Sequence, residues 1–147
     1  MWLDILSTTY MLKKKVKRIK KSSVWNVFSK YIRLRDCINT TGDPEYLLCV
    51  TCHERKHLKD AQAGHFIPGR HNSVLFDERN VHGQCMMCNI FLKGNPIKYY
   101  RFMITRYGQS VIDELESLDS VPKQLKNFEL LELRDKYKSK LKALEIA

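Results

Sequence analysis

The stretches Cys49-Val50-Thr51-Cys52 and Cys85-Met86-Met87-Cys88 decide the fold of this 147-residue chain. Each stretch separates two cysteines by two residues, the spacing typical of a zinc knuckle. Four thiolates in two such pairs suit one tetrahedral zinc ion with no open coordination position. Because a closed site of this kind is structural, we expect any chemistry to come from residues between and beside the two pairs.

The cysteines and the apolar segments indicate the cellular compartment in which the chain works. Four of the five cysteines lie in metal-type pairs, which argues against a disulfide framework, and we interpret Cys37 as a small buried side chain. Met1–Tyr10 is mildly apolar but precedes its lysines, the reverse of a signal peptide. No apolar run approaches the roughly 18 residues of a membrane span. We therefore expect reduced thiols, a location inside the cell and no membrane partner.

The positive charge is concentrated in the first three quarters of the chain. Residues 1–112 contain 19 of the 26 basic and 8 of the 16 acidic side chains, whereas residues 113–147 are nearly neutral. Between Lys13 and Arg35 there are ten basic residues and no acidic one. A concentrated basic face favours a polyanion, most commonly nucleic acid, over the alternative of a merely solvated surface.

The pattern of the first two thirds predicts two parts. Residues 1–45 form a basic N-terminal arm and a helix over Ser22–Arg35, with a serine cap, followed by turn residues at Asn39–Pro44. Residues 46–96 form a zinc-stapled core. Its extended segments, around His65 and over Ser73–Val81, precede a short helix over Met86–Lys93, which gives a β–loop–β–α order.

Residues 97–147 are predicted to form C-terminal helices that pack on this core, so the fold class is α+β. One helix runs from Pro96 to Tyr107 and stops at Gly108, and another covers Val111–Leu118. After Pro122 an amphipathic stripe follows, made of Leu130, Leu133, Tyr137, Leu141 and Leu144. We expect the stripe to pack on the body of the protein, with a homodimer seam as the alternative.

Three polar residues stand out by spacing: His65, then fourteen residues, Asn80, then eight residues, Asn89. Over about Leu48–Asn95 the sequence resembles the HNH (His-Me finger, ββα-metal) nucleases, many of which carry two flanking Cys pairs. That resemblance implies a small ββα-metal core whose first strand ends in the histidine. A lone histidine at a strand end is more often structural, but the two asparagines at these intervals favour catalysis.

A narrower resemblance covers about residues 24 to 118. Phe76–His82, Gln84–Asn89 and Val111–Glu116 are similar to segments of the NinG (Rap) recombination proteins of lambda-like phages. The family implies a structure-selective DNA endonuclease that acts on branched recombination intermediates such as a Holliday junction or a D-loop. It also implies a phage-encoded protein in the cytoplasm of the bacterial host, with phage or host recombination proteins as further partners.

The residue types suit phosphodiester hydrolysis. An unprotonated imidazole near neutral pH is a suitable general base, and His65 is the candidate. Asn80 is expected to hold the imidazole or the loop geometry. The amide oxygen of Asn89 is expected to bind a catalytic Mg²⁺ or Mn²⁺. Arg70 and Arg79 are candidates for phosphate contacts.

One departure from the HNH pattern leaves alternatives open. HNH enzymes commonly carry an aspartate immediately before the histidine, where this chain has Gly64, and NinG relatives carry one at the position of Gln62. Gln62 and His82 are therefore candidate cofactor ligands, with Asp60, Asp77 and substrate phosphates as further sources; His82 equally suits structural hydrogen bonding. The missing carboxylate also supports a non-cleaving zinc-finger DNA-binding accessory protein. An HNH restriction or homing enzyme is a third alternative.

Overall fold

The computed structural model describes residues 17–147 and contains four α-helices and four short strands there. The expectations for Met1–Tyr10 and Lys13–Lys15 lie outside the described residues. In chain order the elements are α1 (Lys21–Thr41), β1 (Tyr46–Leu48), β2 (Arg55–His57), β3 (Ala61–His65), β4 (Val81–Cys85), α2 (Pro96–Tyr107), α3 (Gln109–Asp119) and α4 (Asn127–Ile146). This mixture of helices with small sheets confirms the predicted α+β class, whereas the division at residues 45 and 96 stays a prediction.

Helix α1 is longer than the sequence predicts. It begins at Lys21 without a side-chain cap, so the predicted serine cap is wrong. It continues through Asn39, where the turn is predicted, because its buried face continues to Cys37 and the hydroxyl groups of Thr40 and Thr41 bond to carbonyls one turn back. It ends at Gly42, whose φ of 74° is the left-handed conformation that glycine adopts readily.

The four strands form two separate antiparallel pairs, β1 with β2 and β3 with β4. In the second pair Ala61 lies opposite Cys85 and His65 lies opposite Val81. Residues 66–80 connect β3 to β4 as a series of turns, and the strand begins only at Val81. The extended segment predicted over residues 73–81 is therefore wrong, because the loop backbone bonds to a buried side chain, that of Asn80, instead of to a neighbouring strand.

The segment after the second Cys pair is also shorter than predicted. A single π-helical turn covers Met87–Phe91 instead of a helix over residues 86–93. The chain leaves this turn through residues with positive φ, including Lys93 and Gly94. Helix α2 then begins with Pro96 in its first turn and stops before Gly108, as predicted.

Helix α1 packs across the β3–β4 pair on one side and against α4 on the other. Its Phe28, Tyr31 and Ile32 form a buried cluster with Val81 of β4 and Tyr137 of α4. Leu133, Leu141 and Leu144 of the predicted stripe pack on this cluster, so the stripe covers the body of the protein as expected. A second cluster joins the loop residue Val74 to α2 and α3.

Two of the basic residues in α1 bind protein groups. Arg35 pairs with Asp36 at 2.7 Å and donates to the carbonyls of Glu78 and Val81, while Asp36 accepts the N–H of Gly83. Arg33 donates to the carbonyl of Leu58. These bonds tie α1 to β4 and to the turn before β3, so the guanidinium groups hold the site instead of facing a polyanion.

Within residues 17–147, none of the helices combines the length and the apolar character needed to cross a membrane.

Candidate active site and metal centre

The four predicted metal ligands come together. The sulfur atoms of Cys49, Cys52, Cys85 and Cys88 lie within 4.8 Å of one another, and those of Cys52 and Cys85 are 3.7 Å apart. Zn–S bonds of about 2.3 Å place the sulfurs of a tetrahedral site about 3.8 Å apart. The cluster can therefore hold one metal ion such as zinc. It joins the β1–β2 hairpin to the end of β4 and to the π-helical turn.

Hydrogen bonds to the sulfurs of this cluster favour the thiolate at Cys49, whereas burial raises the pKa of Cys52 and Cys85. The backbone N–H of Cys85 donates to Cys49 Sγ at 3.3 Å, and the N–H of Cys88 donates to Cys85 Sγ at 3.4 Å. Burial raises the pKa of Cys49, but bonds from the backbone of Cys52 and Cys85 and from Thr51 outweigh it and lower this pKa to about 6. These partners fix the ligand positions and favour metal binding, in which the thiols lose their protons.

We expect removal of zinc from the metal-loaded chain to abolish cooperative unfolding, because structural zinc sites contribute on the order of 10 kcal/mol to folding. Mass spectrometry of metal content and circular dichroism during urea unfolding measure the two quantities. Cys88→Ser should lose the metal, whereas Cys37→Ala, outside the cluster, should keep it. A cooperative transition that survives verified zinc removal would contradict the structural role.

His65 ends β3 and is held on both sides. Its Nε2 lies 3.1 Å from the carbonyl oxygen of Leu75, and its ring stacks on Trp25 with centroids 4.9 Å apart. Because a carbonyl oxygen only accepts hydrogen bonds, Nε2 carries the proton of the neutral ring and Nδ1 keeps a lone pair that no group in residues 17–147 engages. Burial lowers the pKa of His65 below its usual value, against a smaller opposing effect of the Leu75 carbonyl. The geometry and the burial together give a neutral, oriented base.

Asn80 is fully buried and fastens the loop that follows His65. Its Oδ1 accepts the N–H of Ile67 at 2.8 Å, and its Nδ2 donates to the carbonyls of Ile67 and Val74. The loop between these bonds carries Leu75, whose carbonyl holds His65. The Asn80 side chain thus positions the imidazole through the loop. Of the two roles predicted for Asn80, its contacts match the one in which it holds the loop.

Side-chain alternation sorts the site residues onto the two faces of the β3–β4 pair. His65 and Ala63 face α1 and Trp25. Gln62 and Gly64 face the other way, toward Asn89 of the π-helical turn. Asn89 Nδ2 donates to Gln62 Oε1 at 2.7 Å. The structure therefore brings two of the predicted ligands together, on the face opposite the imidazole.

A cavity of about 360 Å³ connects the α1 side to Asn89. It is lined by α1 residues, by residues from both faces of β3 and by the turn: Trp25, Ser29, Arg33, Ala61, Gln62, Ala63 and Asn89. Side chains from both faces of β3 line the cavity. The cavity therefore lies over the edge of β3 that is not paired with β4. This edge gives access to Gln62 and Asn89.

Gln84 is a residue of this site that the sequence prediction missed. It lies directly opposite Gln62 and is fully buried. Its Nε2 donates to the carbonyl of Gly94 at 2.9 Å and to Thr51 Oγ1 at 3.1 Å, whereas its Oε1 has no hydrogen-bond partner within the described part of the chain. The signal in the sequence was the position of Gln84 directly before the second Cys pair. A side chain there is buried with the cysteines, and a buried amide requires partners.

His82 is separated from this cluster by its bonds. It is buried, with Nδ1 3.1 Å from the hydroxyl of Tyr99 and Nε2 2.8 Å from that of Tyr107. The Tyr99 hydroxyl donates to the carbonyl of Gly64, so His82 Nδ1 donates to Tyr99 and Nε2 accepts from Tyr107. Both ring nitrogens are occupied, which leaves none for a cofactor and corrects the candidate ligand role to a structural one. Burial first, then the charges of Arg35 and Arg106, lower its pKa well below the usual value.

The other candidate residues also have protein partners or lie elsewhere. Arg79 pairs with Asp77 and Glu114, each at 2.9 Å, so Asp77 is engaged and Arg79 is not free for phosphate. Asp60 is exposed and lines a cavity beside Met86 and Met87, on the cysteine side of Gln62. Arg70 is exposed in the loop.

Comparison with known proteins gives the family. Over residues 8–146 the chain matches the family model described as NinG, the bacteriophage lambda NinG protein. The chain belongs to the NinG family. The match extends on both sides beyond the segment from about residue 24 to 118 that carried the resemblance. No solved structure matches the chain significantly.

Several curated relatives, each named protein ninG, are similar to the chain. It is 37 % identical over 101 residues to the protein of Escherichia phage 933W and 36 % identical over 101 residues to that of Salmonella phage P22. Each alignment covers 67 % of this chain and 48 % of the relative. The lambda protein is 39 % identical over 74 residues, which are 48 % of this chain and 35 % of the relative. The chain thus spans about half the length of the curated relatives it matches.

Proposed function

We propose that this NinG-family chain is a metal-dependent DNA endonuclease that acts on branched recombination intermediates. The observation that carries the proposal is the state of His65: a neutral imidazole at a strand end, with Nε2 committed to the Leu75 carbonyl and Nδ1 not engaged by any group in residues 17–147. A structural histidine at this position would have no need for a free lone pair oriented by two partners.

The order of the surrounding elements supports an HNH-type ββα-metal core, with a π-helical turn in the place of the helix. Strands β3 and β4 are the two strands, the residue 66–80 loop carries Asn80, and the π-helical turn carries Asn89. The four-cysteine cluster fastens the turn to β4, which supports zinc as the structural ion. This order of elements and the three spacings support the HNH-type interpretation.

In the proposed reaction His65 Nδ1 takes a proton from the attacking water. The Leu75 carbonyl holds the proton on Nε2, and the stacked Trp25 ring prevents the imidazole from rotating. Asn80 keeps Leu75 in place through the loop. These three residues therefore fix the base before the substrate arrives, and general-base catalysis of this kind contributes roughly 10²–10⁴-fold.

The proposed catalytic cation fits neutral amide oxygens near β3. Gln84 Oε1, which has no partner among the described residues, indicates acceptor capacity on this face that the protein leaves unused, and oxygen is the ligand that Mg²⁺ and Mn²⁺ prefer. Asn89 would hold the ion through Oδ1. When bound, such an ion would neutralise charge on the scissile phosphate and on the leaving oxygen.

The surface beside the site suits DNA. From Arg79 to Ile112 the chain has no acidic residue. Lys98 and Arg101 of α2 are exposed and line a groove of about 430 Å³ with Thr51, Cys52 and His53 of the cysteine hairpin. Cationic side chains along a groove next to the metal centre favour contacts with a phosphate backbone.

The second candidate is the DNA-binding accessory protein without cleavage. It is favoured by Gly64, which provides no carboxylate, and by the neutral amides Gln62, Gln84 and Asn89, which together carry no charge to hold a cation. The two candidates share the DNA surface and differ only in whether bound DNA is cut.

We expect His65→Ala to reduce the cleavage rate at least about 100-fold, because it removes the general base. The measurement is single-turnover cleavage of Holliday-junction, D-loop, flap and linear DNA with Mg²⁺ or Mn²⁺. His71→Ala, an exposed loop histidine, is the control and should cleave normally. Undiminished cleavage by His65→Ala with full zinc content would exclude His65 as the base.

Binding of every substrate by the wild type without any nicking would establish the accessory protein, and a preference for a specific linear sequence would establish a restriction or homing enzyme.

The cleavage rate should fall on the acid side with a midpoint below 6.5, since the pKa of His65 lies below that ordinary value. Only the unprotonated ring accepts a proton from water, so activity is present above this pKa and is lost as the pH falls through it. The depressed pKa values of His65 and His82 also reduce stability at acid pH, because the unfolded chain binds the protons first. Circular dichroism at each pH therefore accompanies the rates. A midpoint above 6.5 in folded protein would contradict the assignment.

The double variant Lys98→Ala/Arg101→Ala should lower the slope of log K against log salt concentration by about 1.8 on B-DNA, at about 0.9 for each phosphate that a basic side chain no longer neutralises. Fluorescence anisotropy with a labelled junction at several salt concentrations measures this slope. Lys136→Ala/Lys142→Ala removes the same charge from exposed positions of α4 and serves as the matched control. Equal slopes for the two double variants would show that the α2 groove does not contact the DNA.

A further inference from the structure

We propose that Gln84 Oε1 and Asn89 Oδ1 form a binding site for a divalent cation, with Gln84 in the place of the carboxylate that Gly64 lacks. The catalytic role of this cation site rests on the proposed function, whereas binding of the cation does not depend on cleavage. Gln62, the candidate from the sequence, is thereby replaced by its cross-strand neighbour.

The side-chain oxygen of Gln84 lacks a partner. Gln84 is fully buried, and its Oε1 has no donor among the described residues. A buried acceptor without a partner is destabilising, and a cation or a water molecule would offset this cost. The free oxygen therefore points to an occupant.

The orientation of the Gln84 amide is fixed by its hydrogen bonds. Turning it over would exchange its oxygen and nitrogen and place Oε1 against the carbonyl of Gly94, which can only accept. Because Nε2 is committed to Gly94 and Thr51, Oε1 is directed toward β3. The direction of the oxygen is thus imposed by two fixed partners.

Two amide oxygens lie close to Gly64. A Cβ placed on Gly64 would overlap Gln84 Oε1 and would lie 3.0 Å from Asn89 Oδ1. The two amide oxygens therefore converge on the space that a side chain would fill. An aspartate at position 64 would overlap the Gln84 side chain. The HNH carboxylate and the buried glutamine therefore exclude each other, and this chain has the glutamine.

Gln84 and Gln62 differ in whether their side-chain oxygen is already engaged. Gln62 Oε1 already accepts the Asn89 amide at 2.7 Å, and this bond directs Asn89 Oδ1 away from Gln62. Gln62 therefore orients the ligand Asn89, and Gln84 is the oxygen that remains available. Asn89 is half-buried and lines the cavity along β3, so this one of the two ligands is reached from solvent.

The test is binding of Mn²⁺ to the zinc-loaded full chain, followed by electron paramagnetic resonance and by calorimetry, without DNA. We expect Gln84→Met, which keeps the length but removes the oxygen, to weaken Mn²⁺ binding at least about tenfold, as loss of a ligand should cost no less than loss of its supporting partner. Gly64→Ala should do the same by displacing Oε1 while leaving Gln84 in the chain. Gln124→Met, the same substitution at an exposed position outside the site, is the matched control and should change the affinity less than about threefold. Zinc content and thermal unfolding confirm that each variant is folded.

Asn89→Asp supplies a gain of function, since a carboxylate at the same point should tighten Mn²⁺ binding about tenfold through its charge. Wild-type affinity in folded Gln84→Met, or an equal loss in Gln124→Met, would overturn the assignment. Wild-type protein that binds no Mn²⁺, in which Oε1 holds only water, would overturn it as well. The two proposals fail separately. Mn²⁺ binding that depends on Gln84 in a protein that cuts no DNA supports the site and refutes the endonuclease. Cleavage with full Mn²⁺ affinity in Gln84→Met supports the endonuclease and refutes the site.

Discussion

The convergence of four thiols on one point is the constraint on which the rest of the site depends. Cys49 and Cys52 belong to a hairpin remote in sequence from β4, and Cys85 and Cys88 belong to the end of β4 and to the turn after it. The turn is a single π-helical one, too short to be stable alone. A metal ion bound by these thiols would fix the turn, and with it Asn89, which directly follows Cys88.

Strand β4 connects this constraint to both halves of the site. Every residue from Val81 to Cys85 is buried, although three of the five are polar or lack a side chain. Val81 and Gly83 face α1, where Asp36 binds the N–H of Gly83. His82 and Gln84 face the other way and bind groups of α2, the cysteine hairpin and the turn. A polar strand can be buried on both faces only because nearly every polar atom has a partner, which makes the free Oε1 of Gln84 the informative exception.

The prediction from sequence worked where a local signal sufficed and failed where distant partners decided. The limits of α2, set by Pro96 and Gly108, follow from local backbone chemistry and were predicted. The α4 stripe follows from helical period and also packs as predicted. The turns before Val81 were missed, because Asn80 satisfies loop groups at Ile67 and Val74 that no periodic pattern reveals. The length of α1 was underestimated, since the threonines at its end suggest a turn but bond back into the helix.

The sequence by itself determined the α+β class, the four-cysteine cluster and the NinG-family resemblance, because metal-ligand spacing and motif intervals are properties of the chain. It also predicted His65, Asn80 and Asn89 as site residues. Only the tertiary structure decided which atom of each residue is free. It commits His82 to two tyrosines, Arg35 to β4 and Arg79 to two carboxylates, and within residues 17–147 it leaves His65 Nδ1 and Gln84 Oε1 without partners. The reason is physical: hydrogen bonds between residues distant in the chain consume donors and acceptors, and reactivity belongs to those that remain.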